Sequence, residues 1–221
     1  MRMDLTEFWT ICSSNGIVLS KAQLDNMERY AKELIYWNQK INLISRRDED
    51  NVLERHILHS LTILKNVDLK QKAFCLDIGT GGGLPGIPLK IAREDLRMLL
   101  IDSIAKKVKT TQMLAKHTGL RNIDARQIRA EDLAREKEFT GKFDCITARA
   151  VTHTSSIIEW SKAMLKRKGK IVLLKGGDLK SEISDAEKQH TEFSIVVKDI
   201  DFFGVESFQK DEKKIVICSF K

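Results

Sequence analysis

The chain has 221 residues, 42% of them hydrophobic and 31% charged, with a formal net charge of +7. That length accommodates one good core but hardly two full domains. No run reaches the roughly 20 apolar residues that span a bilayer, and an N-terminus carrying Asp4 and Glu7 does not read as a secretion signal.

Up to about residue 67 the pattern is helical. Leu24, Met27, Ala31, Leu34 and Ile35 recur at helical steps after Ser20, a candidate N-cap. The segment WNQKINLISRR suits a structured connection. A further helix is predicted from about Val52, with Leu53, Ile57, Leu58, Leu61 and Leu64 on one stripe. From Ala73 onward, short apolar runs alternate with amphipathic segments. AFCLDI, RMLLID, NIDARQI, FDCITAR and KIVLLK are predicted strands, with helices starting near Gly86, Ile104, Ala130 and His153. A helix over 181–189 and two close strands, FSIVVKDI and KKIVICSF, end the chain. The expectation is a helical extension over 1–67 and an α/β domain over 68–221. Its doubly wound sheet is mostly parallel with an antiparallel C-terminal strand, and binds its ligand at the carboxyl ends of the strands.

The strongest local signal is LDIGTGGGLPGIPL, residues 76–89, between the first strand and the first crossover helix. Gly81, Gly83 and Gly86 match the GxGxxG of dinucleotide folds, a weak signal alone. Asp77 directly precedes the loop. Its carboxylate would repel a pyrophosphate and attract the sulfonium and ammonium of S-adenosylmethionine, which favours that ligand over NAD. Asp102 ends the second strand, where an acid accepts hydrogen bonds from ribose hydroxyls. It can equally cap the following helix, as can Ser103. Glu131 or Asp132, after the third strand, is placed to address the adenine edge or to favour a helix dipole.

The remaining chemistry is mostly negative. Cys12, Cys75, Cys145 and Cys218 form no metal motif and read as core thiols of a cytosolic protein. His56 and His59 lack an acidic or cysteine partner at ligand spacing, so they read as packing or polar contacts beneath the glycine loop. Met3, Met27, Met98, Met113 and Met164 read as core filler. The positive charge points to nucleic acid or to a solvated basic face. Arg46–Arg47, Lys106–Lys107–Lys109, 121–135 and 162–170 are the basic clusters, part of which is expected to contact phosphate near the pocket.

WNxxINLxS, RHIxxS at 55–60, DIGTGxGLPGIPL, LxDSxxKxV from Leu100, TARA at 147–150 and LLKGG at 173–177 together resemble the small-subunit (16S) ribosomal RNA guanine-N7 methyltransferase family, long called glucose-inhibited division protein B. The chain departs at Gly82, where proline or alanine is more usual, and at Thr147, where serine is. The glycine is expected to loosen the loop. The resemblance implies a class I S-adenosylmethionine-dependent methyltransferase fold. It implies cofactor contacts at Gly79, Leu84, Ala130, Glu131 and Arg149, and it covers Asp102 and Ser103. The implied substrate is one guanine of 16S rRNA, within the small ribosomal subunit or an assembly intermediate, and no oligomer is required. Guanine N7 carries no proton, so no general base is needed, and none is evident. Arg149 can contact the cofactor, an RNA phosphate or the guanine. A small-molecule methyltransferase and a non-catalytic Rossmann-like binding module are the alternative readings.

Overall fold

The computed structural model describes residues 3–221. Helices α1 (Leu5–Ser14) and α2 (Lys21–Asn38) open the chain. Ser20 caps α2 as its sequence predicts: Ser20 Oγ accepts from the Gln23 backbone and Gln23 Oε1 accepts from the Ser20 N–H. Gln23 Nε2 also donates to the carbonyls of Ile91 and Ala92, tying α2 to the C-terminal end of a sheet-covering helix. Asn38 explains the WNxxINL motif. Its Oδ1 accepts from the N–H groups of Leu43 and Ile44, and its Nδ2 donates to Glu49, so one side chain organises the whole connection.

A 3-10 turn over Arg46–Asn51 leads to Leu53–Leu58, which is wound as a π-helix and runs directly into α3 (His59–Asn66). The stripe expected from Val52 is present. Its winding is not purely α, and a π segment commonly marks a functional site.

Seven strands follow: β1 (Phe74–Ile78), β2 (Arg97–Asp102), β3 (Ile123–Gln127), β4 (Phe143–Arg149), β5 (Leu165–Gly176), β6 (Phe193–Asp199) and β7 (Lys213–Phe220). They are ordered β3-β2-β1-β4-β5-β7-β6. β1 to β5 pair in parallel, whereas β7 runs antiparallel to both β5 and β6. The crossover helices are α4 (Gly86–Ala92), α5 (Ala105–His117), α6 (Ala130–Leu133), α7 (Thr154–Ser161) and α8 (Lys180–Gln189), with α9 (Glu206–Lys210) before β7. β5 starts five residues earlier than KIVLLK predicts, through an irregular register opposite Phe143 and Cys145.

Alternation along the strands divides the core in two. Cys75, Met98, Leu100, Val172 and Leu174 face one side, while Leu76, Leu99, Ile101, Ile171 and Leu173 face the other. The first face is covered by the N-terminal helices: Leu34, Leu58 and Leu61 share its apolar cluster with Ile87 and Ile215. Strands buried on both faces are why their sequences read as continuous apolar runs. All four cysteines are buried and unpaired. Four of the five methionines read as core filler are buried, and Met113 is half-buried. Among the described residues, no helix is long and apolar enough to cross a membrane.

Candidate active site

Strand order reverses between β1 and β4, and the crevice at such a switch point is where open α/β sheets bind ligands. The glycine loop emerges there, held by Asp77. This carboxylate is fully buried. Its Oδ2 accepts from Thr80 Oγ1 at 2.6 Å and from the Gly86 N–H at 3.1 Å, and its Oδ1 accepts from Thr147 Oγ1 at 3.0 Å. Asp77 therefore lies under the loop as its organiser. Burial pushes its pKa up to about 6, against the pull of these hydrogen bonds and of Arg149.

Gly81 is stitched on both sides: its N–H donates to Asp102 Oδ2 at 3.0 Å and its carbonyl accepts from Thr111 Oγ1 at 2.8 Å. Leu84 has its side chain in the core and lines neither cavity described below. Asp77, Gly81 and Leu84 thus shape the loop. Gly79 has a different task. Its φ is +65°, and a Cβ there would stand 2.6 Å from Val151 Cγ2, so this position admits only a glycine without rearrangement.

Gly79, Asp102, Ser103, Ala130 and Glu131 converge on one cavity of about 130 Å³ at the ends of β1, β2 and β3. Ile78, Ile101, Ile128, Arg129, Val151 and Trp160 complete its wall, and of these Val151 and Trp160 lie outside every motif and cluster read from the sequence. Asp102 also holds the loop and, through Oδ1, the Ile104 N–H at 2.9 Å at the start of α5. A carboxylate has about four lone-pair sites, so capping and ribose recognition are compatible. Glu131 and Asp132 separate clearly: Glu131 lines the cavity, whereas Asp132 pairs with Arg135 at 3.2 Å.

Arg149 lines a second, larger cavity with His56 and His59. The histidines are not beneath the glycine loop, as the sequence leads one to expect. That place belongs to α2, where Tyr30 Oη donates to the Gly82 carbonyl at 2.8 Å and Leu34 fills the space a Cβ at position 82 would need. Among the described residues no group of three His, Cys, Asp or Glu could hold a metal. Cys145 is fully buried, and its neighbour Cys75 and its burial hold the thiol well above its usual pKa.

The family model described as rRNA small subunit methyltransferase G matches residues 23–213. The chain belongs to this family. Among relatives named ribosomal RNA small subunit methyltransferase G, that of Flavobacterium psychrophilum is 40% identical over 209 residues, covering 92% of this chain and 94% of its own. That of Chlorobaculum tepidum is 36% identical over 221 residues, covering 99% of each chain. The fold of this rRNA small subunit methyltransferase G family member is also that of a ribosomal protein L11 methylase from Lactobacillus delbrueckii subsp. bulgaricus. The TM-score is 0.56 and the identity 18%, over 74% of this chain and 77% of that one. A tRNA (m1A58) methyltransferase from Aquifex aeolicus aligns with a TM-score of 0.55 at 14% identity, over 73% of this chain and 68% of that one. The class I methyltransferase fold, the enzyme class and the S-adenosylmethionine cofactor expected from the motifs agree with these findings.

The residues present fit that cofactor. A buried carboxylate beneath the glycine loop favours a cation over a pyrophosphate, and Asp102 supplies the acid that an adenosine ribose requires.

Proposed function

We propose that the protein transfers a methyl group from S-adenosylmethionine to N7 of one guanine in 16S rRNA, acting on the small ribosomal subunit or an assembly intermediate. The observation that carries this reading is the family match over residues 23–213, which includes the glycine loop, both cavities' strand ends and Arg149. Gly79, Asp102, Ser103, Ala130 and Glu131 hold the adenosine end of the cofactor, with Asp77, Gly81 and Leu84 shaping the loop around it. Arg149 stands at the boundary between cofactor and substrate.

S-adenosylmethionine supplies an electrophilic methyl group on a sulfonium. The protein's own task is positioning: Gly79 allows close approach, Asp102 fixes the ribose, and the buried Asp77 field favours the cation. Well-oriented reactants gain effective molarities of about 10⁵–10⁸ M. N7 has an in-plane lone pair and no proton, so the residues need not include a general base. The exposed arginines Arg46, Arg47 and Arg129 flank the cavities and give RNA phosphates an approach.

Nucleoside mass spectrometry of 16S rRNA, from cells with and without the protein, tests the reading. Loss of one 7-methylguanosine, restored by purified protein on the unmodified subunits, is the expected result. An unchanged modification profile would falsify it.

A further inference from the structure

The larger cavity, about 390 Å³, opens where the chain leaves β4. Ala150 has φ +52°, a strained conformation for a residue with a Cβ. The turn puts Ala150 in the wall of the larger cavity and Val151 in the wall of the smaller. The two cavities are therefore neighbours across residues 149–151, with the adenosine side on one hand and an unassigned space on the other.

That space is walled by Asp48, His56, His59, Arg149, Lys175 and Asp211, among others. Arg149 Nη2 lies 2.6 Å from His56 Nδ1. A guanidinium offers only donors, so Nδ1 accepts and the imidazole proton sits on Nε2, 3.4 Å from Asp48 Oδ2. Burial, and then the Arg149 charge, lower the His56 pKa to about 3, which keeps the ring neutral in that tautomer. Asp48 thus faces His56, and His56 anchors the guanidinium by one N–H, leaving its other donors free. Nε2 of His56 and of His59 has no hydrogen-bond partner among the described residues, although both rings are buried. A wall with buried polar atoms of this kind suits a polar guest.

We propose that this cavity receives the target guanine, turned out of its stack, and that Arg149, held by His56, donates to guanine O6. The proposal rests on the guanine-N7 reading above. Guanine presents two acceptors on its Hoogsteen edge, N7 and O6, whereas adenine presents an acceptor and a 6-amino donor. Transfer uses the N7 lone pair, so the recognising donor must fall on O6 and leave N7 bare. A guanidinium tethered on one side does this, and it opposes adenine donor to donor. The N7 lone pair forms the new bond to the methyl carbon as the carbon–sulfur bond breaks, its electron pair staying on sulfur. No proton moves, and the positive charge passes to the purine ring, where Asp48 and Asp211 counter it. His56 is a positioning residue in this scheme.

The test uses intact protein, saturating S-adenosylmethionine and small subunits lacking the mark. In His56→Leu, single-turnover methylation falls about 10- to 100-fold, the size of one lost base-reading contact. The calorimetric Kd for S-adenosylmethionine changes far less, and the melting curve stays cooperative. His56→Gln, whose side-chain oxygen can accept from the guanidinium, recovers much of the rate. In subunits whose target guanine, located by mass spectrometry, is replaced through ligated rRNA by 2-aminopurine, N7 remains and O6 is absent. Wild type then loses a similar factor and His56→Leu loses little more, so the two costs do not add. Additive costs overturn the proposal. So does a Kd that weakens as much as the rate, because the cavity then holds the methionine end of the cofactor. Wild-type protein that makes no 7-methylguanosine on unmodified subunits overturns the guanine-N7 reading itself, which separates the two failures.

Discussion

Tyr30 on α2 and Gly82 in the glycine loop are joined by a 2.8 Å hydrogen bond, buried at both ends. Burial holds the Tyr30 phenol well above its usual pKa, so it remains a donor at working pH. The N-terminal helices therefore set the loop's shape from outside the sheet. Tyr30→Phe leaves the Gly82 carbonyl without this donor, a loss of about 1–3 kcal/mol. For a chain of this length each kcal/mol lowers Tm by about 2–4 °C. Differential scanning calorimetry is expected to show that drop, and titration calorimetry a several-fold weaker affinity for S-adenosylmethionine. A lowered Tm with unchanged affinity would mean that the loop keeps its shape without the bond.

Gly79→Ala combines two faults: a positive φ, and a contact with Val151 at 2.6 Å. The backbone cost alone is about 1–2 kcal/mol, a factor of roughly 5 to 30, and cofactor affinity is expected to fall by about that much. Adding Val151→Ala relieves the contact and leaves the backbone strain. The double variant should regain part of the affinity and never all of it. Full recovery in calorimetry would show that sterics alone exclude a Cβ.

Asp77 makes cofactor binding depend on pH. Its carboxyl rises from 3.8 in the unfolded chain to about 6 in the folded protein. Below the lower value both states are protonated and the group is neutral to stability. Between the two values the unfolded chain ionises first, so the free protein loses stability as pH rises, and above about 6 the penalty is constant. The penalty is on the order of 3 kcal/mol. A bound sulfonium favours the ionised carboxylate, so affinity should rise from pH 5 to pH 7 with proton release near the lower end. Calorimetry in buffers of different ionisation heat measures that release. Asp77→Asn should flatten the stability profile over this range while weakening cofactor binding. An affinity independent of pH would remove Asp77 from the electrostatics of the site.

The basic clusters divide by position. Arg46 and Arg47 are exposed, in no ion pair among the described residues, and directly precede Asp48 of the larger cavity. Lys166–Lys170 lie at the opposite end of β5 from that cavity. Arg46→Glu with Arg47→Glu should weaken rRNA binding and reduce the log–log salt slope by about one per lost phosphate contact. Lys168→Glu should do neither. Filter binding across a salt series decides this, and equal effects from both faces would contradict the division.

Much of this was readable from residues near one another in the chain. Strands buried on both faces wrote themselves as apolar runs, Ser20 marked the N-cap of α2, and the loop's glycines marked the turn between β1 and α4. The early start of β5 was hidden because Lys166, Arg167, Lys168 and Gly169 have little strand character. The π winding at 53–58 leaves the helical stripe intact and so has no compositional mark. Asp77 was legible as an acid in a telling place, but its three hydrogen bonds depend on Thr80, Gly86 and Thr147 meeting in space. The larger cavity was the least legible. It draws Asp48, His56, Arg149, Lys175 and Asp211 from segments that only the folded sheet brings together. Likewise, that Glu131 lines the smaller cavity while Asp132 turns to Arg135 is a matter of direction, which a short helix start does not encode in its residue types.

The π-wound turn over 53–58 also bears on how descendants of this chain can vary in length. An α-helix advances about 100° per residue, so losing one residue here and reverting to α winding would swing the preceding stretch around the axis and carry His56 off Arg149. Insertions and deletions should therefore be rare in this turn. They should collect instead at outlying bends such as Gly119 and Gly141, where an added side chain meets nothing within 4 Å.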